Sequence, residues 1–316
     1  MEDCCGGISR NEGNIMDISD VPIFGVAGFP PTFTKSEFRK KRENIFAWLH
    51  SIGLGWIELQ NTRGVKMKDD QALLYKQLAT ENDIGISLHA SYYITLASGD
   101  EGVAKRSKEE FLRCFKLAEK INSKRIIFHP GFFPGNSTDD RKNAILKIVD
   151  GLNELRNELP DGVKIYPETA DKRSQVGSLE EILEICELVD YAWPCIDVAH
   201  VHCFEGGTLT TSESIFGILD DIEKKLGSEC LRQTHFHMCP IEVDSAKHKA
   251  FHDRIEYPQR SLFESDIVDK YYPLAEHFIS AIKSKNIKPV IVCEAKDSQE
   301  SGALLMKSVY YGADLL

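Results

Sequence analysis

Eight short apolar runs, each followed by a longer segment of helical periodicity, constrain this chain more than any other feature of its sequence. The unit is clearest between Lys164 and Leu183. Val163 and Ile165 lead into Glu168, a polar turn runs from Lys172 to Gly177, and Ser178 is followed three residues later by Glu181, the pattern of a capping box. The same spacing predicts strand Ile23–Gly28 with helix Ser36–Ile52, whose Phe38, Ile45, Trp48 and Leu49 share one face. It predicts Trp56–Leu59 with Asp70–Asn82, Gly85–His89 with Lys108–Ile121, Arg125–His129 with Asp139–Leu155, and Val163–Glu168 with Ser178–Leu188. Cys195–Asp197 with Ser214–Leu226, Arg232–His237 with Asp266–Ser284, and Pro289–Glu294 with Ser298–Tyr311 complete the series. Eight such units without hairpin signals predict an α/β fold, a (β/α)8 TIM barrel in a single domain. An open doubly wound sheet is the alternative, but the turn Gly25-Val26-Ala27-Gly28-Phe29-Pro30 lacks the glycine spacing of a phosphate-binding turn. Residues 1–20 read as a flexible leader and 21–316 as the barrel. The long connections at 201–213 and 238–265 read as functional loops.

Composition narrows the function classes. With 316 residues and 42% hydrophobic content the chain can bury one large core. A net charge of −11 without a long basic block is an unfavourable average for nucleic acid, although the field in a cleft follows local charge and bound metal more than the total. The nine cysteines are scattered and odd in number, which fits reduced thiols and a cytoplasmic protein. Cys4 and Cys5 lie in a polar leader without the apolar stretch of a signal peptide, and no apolar run approaches the ~20 residues that cross a bilayer. The expectation is a monomer without a membrane partner.

The ends of the predicted strands carry the chemistry. Six consecutive strands finish in His89, His129, Glu168, Asp197, the pair His235/His237, and Glu294, with His200 three residues after Asp197. A single histidine or glutamate at a strand end is ordinarily a hydrogen-bonded structural residue. Six at one barrel mouth are different, because two glutamates and an aspartate in one cavity repel and lose hydration unless a cation joins them. No Lys or Arg occupies a matching position. Divalent metal is the economical answer. Mixed imidazole and carboxylate ligation suits zinc, with manganese or iron as alternatives, and more than four ligands points to at least two ions.

Laid out in this order, the chain resembles the endonuclease IV family of apurinic/apyrimidinic endonucleases among the xylose-isomerase-like barrels. The resemblance runs from about Ile23 to Glu294. It is carried by His89-Ala90-Ser91-Tyr92-Tyr93-Ile94-Thr95-Leu96-Ala97-Ser98, by Phe128-His129-Pro130-Gly131, by Glu168-Thr169-Ala170 with Gly177-Ser178, and by Cys195-Ile196-Asp197-Val198-Ala199-His200. It implies three zinc ions. His89 and His129 would hold the first, with Glu168 bridging to the second. Asp197, a histidine of strand seven and Glu294 would complete the second. His200 would hold the third with an Asp and a His from the loop after strand seven, and Tyr92 would line the DNA pocket. Both His235 and His237 are open for strand seven, with His237 favoured because it immediately precedes the loop. The third site departs from the family pattern, since Asp253-Arg254-Ile255 has Ile255 where the family has His, leaving His252 or His248 as substitutes. The stretch between Gln60 and Asp70 is also short where the family carries a loop that inserts into bent DNA.

The resemblance implies metal-dependent hydrolysis of the phosphodiester 5′ to an abasic site in DNA, with Glu168 bridging the ions and orienting water. Arg63, Lys172 and Arg173 are candidate DNA contacts, with solvated surface charge as the plainer alternative. The rival is a sugar isomerase or epimerase, in which Glu168, Asp197, one histidine and Glu294 hold a single metal and the two glutamates act as acid and base. A binding protein without catalysis is the third class, and it would leave such a set of ligands without purpose.

Overall fold

In the computed structural model, strand backbones alternate between a face turned into a barrel and a face turned towards surrounding helices. Residues 20–133, 135, 137–244, 249–251 and 272–312 are described. The barrel strands are β1 (Ile23–Ala27), β2 (Trp56–Gln60), β3 (Gly85–His89), β4 (Arg125–Phe128), β5 (Lys164–Pro167), β6 (Cys195–Asp197), β7 (His235–Met238) and, after a hairpin of β8 (Glu242–Asp244) and β9 (Lys249–Phe251), β10 (Val290–Cys293). They are parallel and ordered β5-β4-β3-β2-β1-β10-β7-β6. The ends meet through parallel bridges of Ile165 with Ala192 and Glu168 with Cys195, and Thr169 N donates to Cys195 O at 3.2 Å. This is the eight-stranded TIM barrel that the repeat predicts, in one domain.

Outward residues such as Val26, Ile57, Leu88, Ile126, Ile165, Phe236 and Ile291 are buried under the helices and form the main core. Inside, Trp56 packs with Val290 and Val292, and Ile127 with Tyr166 and Cys195. Trp56 fits because its neighbours on both sides are glycines. A Cβ at Gly85 would lie 2.1 Å from the indole ring, and one at Gly25 would lie 2.4 Å from Trp56 Cβ. These packed side chains and the buried Arg125, whose guanidinium donates to Gln233 O at 3.0 Å, fill the barrel below the site.

The helices follow the expected order with three differences. The segment expected as helix Ser36–Ile52 breaks into turns, with extended backbone at Ser36 and Lys41, and only Ile45–Ser51 is α-helical. Ser36 Oγ accepts from Phe38 N, and the run Arg39-Lys40-Lys41-Arg42 supplies no apolar face. The third helix begins at Glu101 under an Asp100 cap rather than at Lys108, because its first turns are polar and carry little periodicity. A short helix Val198–Phe204 follows β6 directly, and the next helix runs Ser212–Gln233 across a break at Gly227, so residues 232–233 are helical and β7 starts at His235. The β8–β9 hairpin in the long connection after β7 had no signal in the sequence. The helix before β10 is described from Ala275 to Lys285. The seven described cysteines are free and buried, and no described helix is long and apolar enough to cross a membrane.

Candidate metal centre

At or just beyond their C-terminal ends, β3 to β7 and β10 each bring an ionisable side chain to one cluster, and Glu58 joins it from the middle of β2. Glu168 lies at its middle and is fully buried. Its two oxygens face different partners. Oε2 lies 3.1 Å from His89 Nε2 and 3.5 Å from His129 Nε2. Oε1 lies 3.1 Å from His237 Nδ1 and 3.5 Å from His200 Nδ1. His237 Nδ1 is also 3.5 Å from Glu294 Oε1. Donor atoms of His89, His129 and Glu168 lie within 4.8 Å of one another, as do those of Glu168, Asp197, His237 and Glu294, so the two groups share Glu168.

Local structure sets these directions. His89 Nδ1 is 2.9 Å from Ala90 O and donates to it, which fixes the ring and turns Nε2 towards Glu168. Asp197 caps the helix Val198–Phe204, its Oδ1 accepting from His200 N at 2.9 Å, so His200 projects from the first helical turn. Thr169 ties β5 to β6 by donating to Asp197 O and accepting from Asp197 N. Tyr92, just beyond β3, stacks on His129 while remaining half exposed.

The strand-seven pair is divided by depth. His237 joins Glu168 and Glu294, whereas His235, two residues further into the barrel, meets Glu58 and packs against the rings of Trp56 and Tyr166. His248, His252 and Asp253, the sequence-based candidates for a third site, lie outside the described residues. Of the candidate DNA contacts, Arg63 and Lys172 are exposed, and Arg173 donates to Phe204 O.

Sequence reasoning missed Glu58. It is fully buried on β2, with Oε2 3.1 Å from His237 Nε2 and 3.3 Å from His235 Nε2. The signal was there: in Trp56-Ile57-Glu58-Leu59-Gln60 a period of two puts Glu58 on the interior face with Trp56 and Gln60.

Charge in this cavity is strongly perturbed. Burial alone would raise the Glu168 carboxyl, but His129, His237 and His89 hold it well below the usual carboxylate range. Burial opposes charge on His89 too, yet the hydrogen bond and charge of Glu168 push it up to about 9. His200 also rises to about 9, where Asp197 and Glu168 outweigh burial. Burial takes His129 down to about 4 and raises Glu294 to about 7. Among the described residues no Lys or Arg pairs with Glu58, Glu168, Asp197 or Glu294; protonated imidazoles supply the compensating charge. Asp197 Oδ2 is buried and accepts no hydrogen bond. Hard oxygen donors, neutral-capable imidazoles and an unsatisfied carboxylate oxygen fit a divalent ion.

Residues 46–309 match the family described as "Xylose isomerase-like TIM barrel". An uncharacterized protein of Methanocaldococcus jannaschii is 29% identical over 287 residues, covering 90% of this chain and 96% of that one. A "probable endonuclease 4" of Aquifex aeolicus is 25% identical over 234 residues, covering 72% of this chain and 80% of that one. Among solved structures, endonuclease IV from Thermus thermophilus superposes with a TM-score of 0.63 at 14% identity, covering 92% of this chain and 100% of that chain. D-psicose 3-epimerase with D-tagatose, from Clostridium cellulolyticum, superposes with a TM-score of 0.59 at 16% identity and covers 92% of each chain. With a match over most of its length, the chain belongs to the xylose isomerase-like TIM barrel family.

Proposed function

We propose that this chain is a metal-dependent phosphodiester hydrolase acting on abasic sites in DNA, of the endonuclease IV type. The observation that carries the reading is the division of Glu168. Its Oε2 faces His89 and His129 while its Oε1 faces His237 and His200. A carboxylate with imidazoles on both oxygens suits two cation positions that it bridges, and hydrolysis of a phosphodiester is the chemistry that uses such a pair. His89, His129 and Glu168 would hold one ion, and Glu168, Asp197, His237 and Glu294 the other. Zinc fits best, and His200 would join a third if the loop after β7 supplies partners. Bound there, the ions supply Lewis-acid activation of water and neutralise phosphate charge. Glu168 orients the attacking water between the two imidazole groups. Tyr92 walls the pocket beside His129, and extrusion of an abasic nucleotide into it costs less because no base is stacked there. The name of the Aquifex aeolicus relative agrees with this reading.

A second reading is sugar epimerisation. The single group Glu168, Asp197, His237 and Glu294 suffices for one metal, and the two glutamates would then serve as acid and base for proton transfer next to a carbonyl. One experiment separates the two. Zinc-loaded protein is incubated with a duplex oligonucleotide carrying a synthetic abasic site, and in parallel with ketohexoses. The nuclease reading expects two or three ions per chain and a nick 5′ to the lesion. Glu168→Gln should abolish the nicking, because it removes the carboxylate that would be shared between the ions. An intact oligonucleotide with fully loaded wild-type protein refutes the nuclease; one ion with ketohexose turnover establishes the epimerase.

A further inference from the structure

We propose that Glu58 is a positioning residue for this centre: its carboxylate accepts the Nε2 proton of His237 and so holds Nδ1 of that ring towards Glu168 and Glu294, where an ion would bind. The inference rests on the reading of His237 as a metal ligand and adds a residue from β2, a strand that supplies no ligand in that reading.

The geometry is a chain of hydrogen bonds across the barrel. Trp56 Nε1 donates to Ser87 Oγ at 3.0 Å, and Ser87 Oγ donates to Glu58 Oε2 at 3.0 Å. Glu58 Oε2 in turn lies 3.1 Å from His237 Nε2. Because the Ser87 oxygen accepts from the indole, its single proton is directed at Glu58. Gln60 Nε2 donates to the other oxygen, Oε1, at 3.0 Å and reaches Glu294 Oε1 at 3.5 Å, tying Glu58 to the cavity above. Glu58 and Ser87 are fully buried, and Trp56 nearly so, so the carboxylate is held by fixed donors rather than by water.

An imidazole bound through one nitrogen needs its other nitrogen fixed, or the ring turns and the lone pair misses the ion. His237 offers Nδ1 to the cluster, 3.1 Å from Glu168 Oε1, and leaves Nε2 for Glu58. A carboxylate partner also makes the imidazole a stronger donor. Glu58 lies below the cluster, on the far side of the His237 ring from Glu168. A cation held by Glu58, His235 and His237 is the competing use of these side chains. The positive charge of Arg125 argues against it, since that guanidinium sits 5.8 Å from the Trp56 ring and 5.1 Å from the Tyr166 ring, the two rings that enclose His235.

The test uses the full chain, with Glu58→Met removing the acceptor and Glu58→Gln keeping a neutral one. Zinc content and affinity are read by competition with a chromophoric chelator, and 15N-histidine spectra report the His237 Nε2 proton. In wild type that proton gives a downfield, exchange-protected resonance in both metal-free and zinc-loaded protein. Glu58→Met should lose it and weaken one zinc ion about 10- to 100-fold while the ion held by His89 and His129 keeps its affinity. Glu58→Gln should fall between. Unchanged affinity of both ions in a folded Glu58→Met protein overturns the proposal, as does equal weakening of both, which marks a purely structural role. If Glu58→Met does not fold, an unshifted His237 resonance and wild-type affinity in Glu58→Gln overturn it. Anomalous density between Glu58, His235 and His237 also overturns it, because Glu58 is then a ligand. A wild-type protein that takes up no zinc refutes the metal reading alone, and the metal-free His237 resonance still tests Glu58.

Discussion

Tyr92 lies flat on His129, with ring centroids 5.4 Å apart and planes 17° from parallel. It also leans on His89 at 5.6 Å, yet 55% of it stays exposed. One residue thus covers two candidate ligands and offers an aromatic surface to whatever enters the cavity. Its neighbour Tyr93 is 72% exposed at the same rim. Large exposed aromatics beside a polar cavity serve recognition more readily than packing.

The stacking geometry leads to a split between binding and loading. Tyr92→Ala should raise KM for an abasic oligonucleotide about tenfold, within the range for losing one aromatic stacking partner. Zinc content should not change. Tyr92→Phe should behave as wild type, since the ring rather than the hydroxyl makes these contacts. Loss of zinc in Tyr92→Ala would instead assign the ring to holding His129 in place.

Substrate class can be read through salt. Arg63 and Lys172 are exposed cations on the loops after β2 and β5, at the open end of the barrel, in a chain of net charge −11. If they neutralise phosphates, Lys172→Ala should reduce the slope of log binding constant against log salt by about 0.9, and Arg63→Ala likewise. The measurement is fluorescence anisotropy with an abasic duplex across a salt series. A sugar substrate carries no such dependence, so flat salt curves with unchanged turnover would count for epimerisation.

Much of this was legible in the sequence because period and position coincide. A barrel strand's last inward residue must face the mouth, so strand ends alone were enough to bring His89, Glu168, Asp197, His237 and Glu294 together. Glu58 escaped because it stands inside its strand, flanked by Ile57 and Leu59, where a reading of strand ends does not look. Depth was the second difficulty. His235 and His237 share a face, and nearness to the following loop was the one sequence signal favouring His237, which reaches Glu168 while His235 stays deeper beside Glu58. The broken segment around Ser36 eluded periodicity for another reason: its apolar residues fit a helical face, but side-chain capping and four adjacent cations decide the backbone.

An ion pair helps to fasten the loop that follows Glu168, and this gives a stability prediction independent of metal. Arg141 donates through Nε and Nη2 to the two oxygens of Glu181, at 2.5 and 2.8 Å, while Glu181 Oε2 accepts from Gly177 N and Ser178 N, each at 2.9 Å. The capping box expected from Ser178 and Glu181 is thereby joined to the helix Thr138–Asn153. Burial raises the Glu181 carboxyl, but Arg141 and the two amides outweigh it and hold it below the usual glutamate range. A carboxyl depressed in the folded state contributes stability above its unfolded pKa and loses it as pH falls through its folded pKa. Glu181→Gln should therefore cost about 2 kcal/mol at pH 7, the scale of charged hydrogen bonds that are largely buried. The gap between variant and wild type should close as the pH is lowered through the carboxylate range. Urea unfolding of both proteins over a pH series measures it. A gap that stays constant with pH would mean that shape alone, not the charge on Glu181, fastens the loop to its helix.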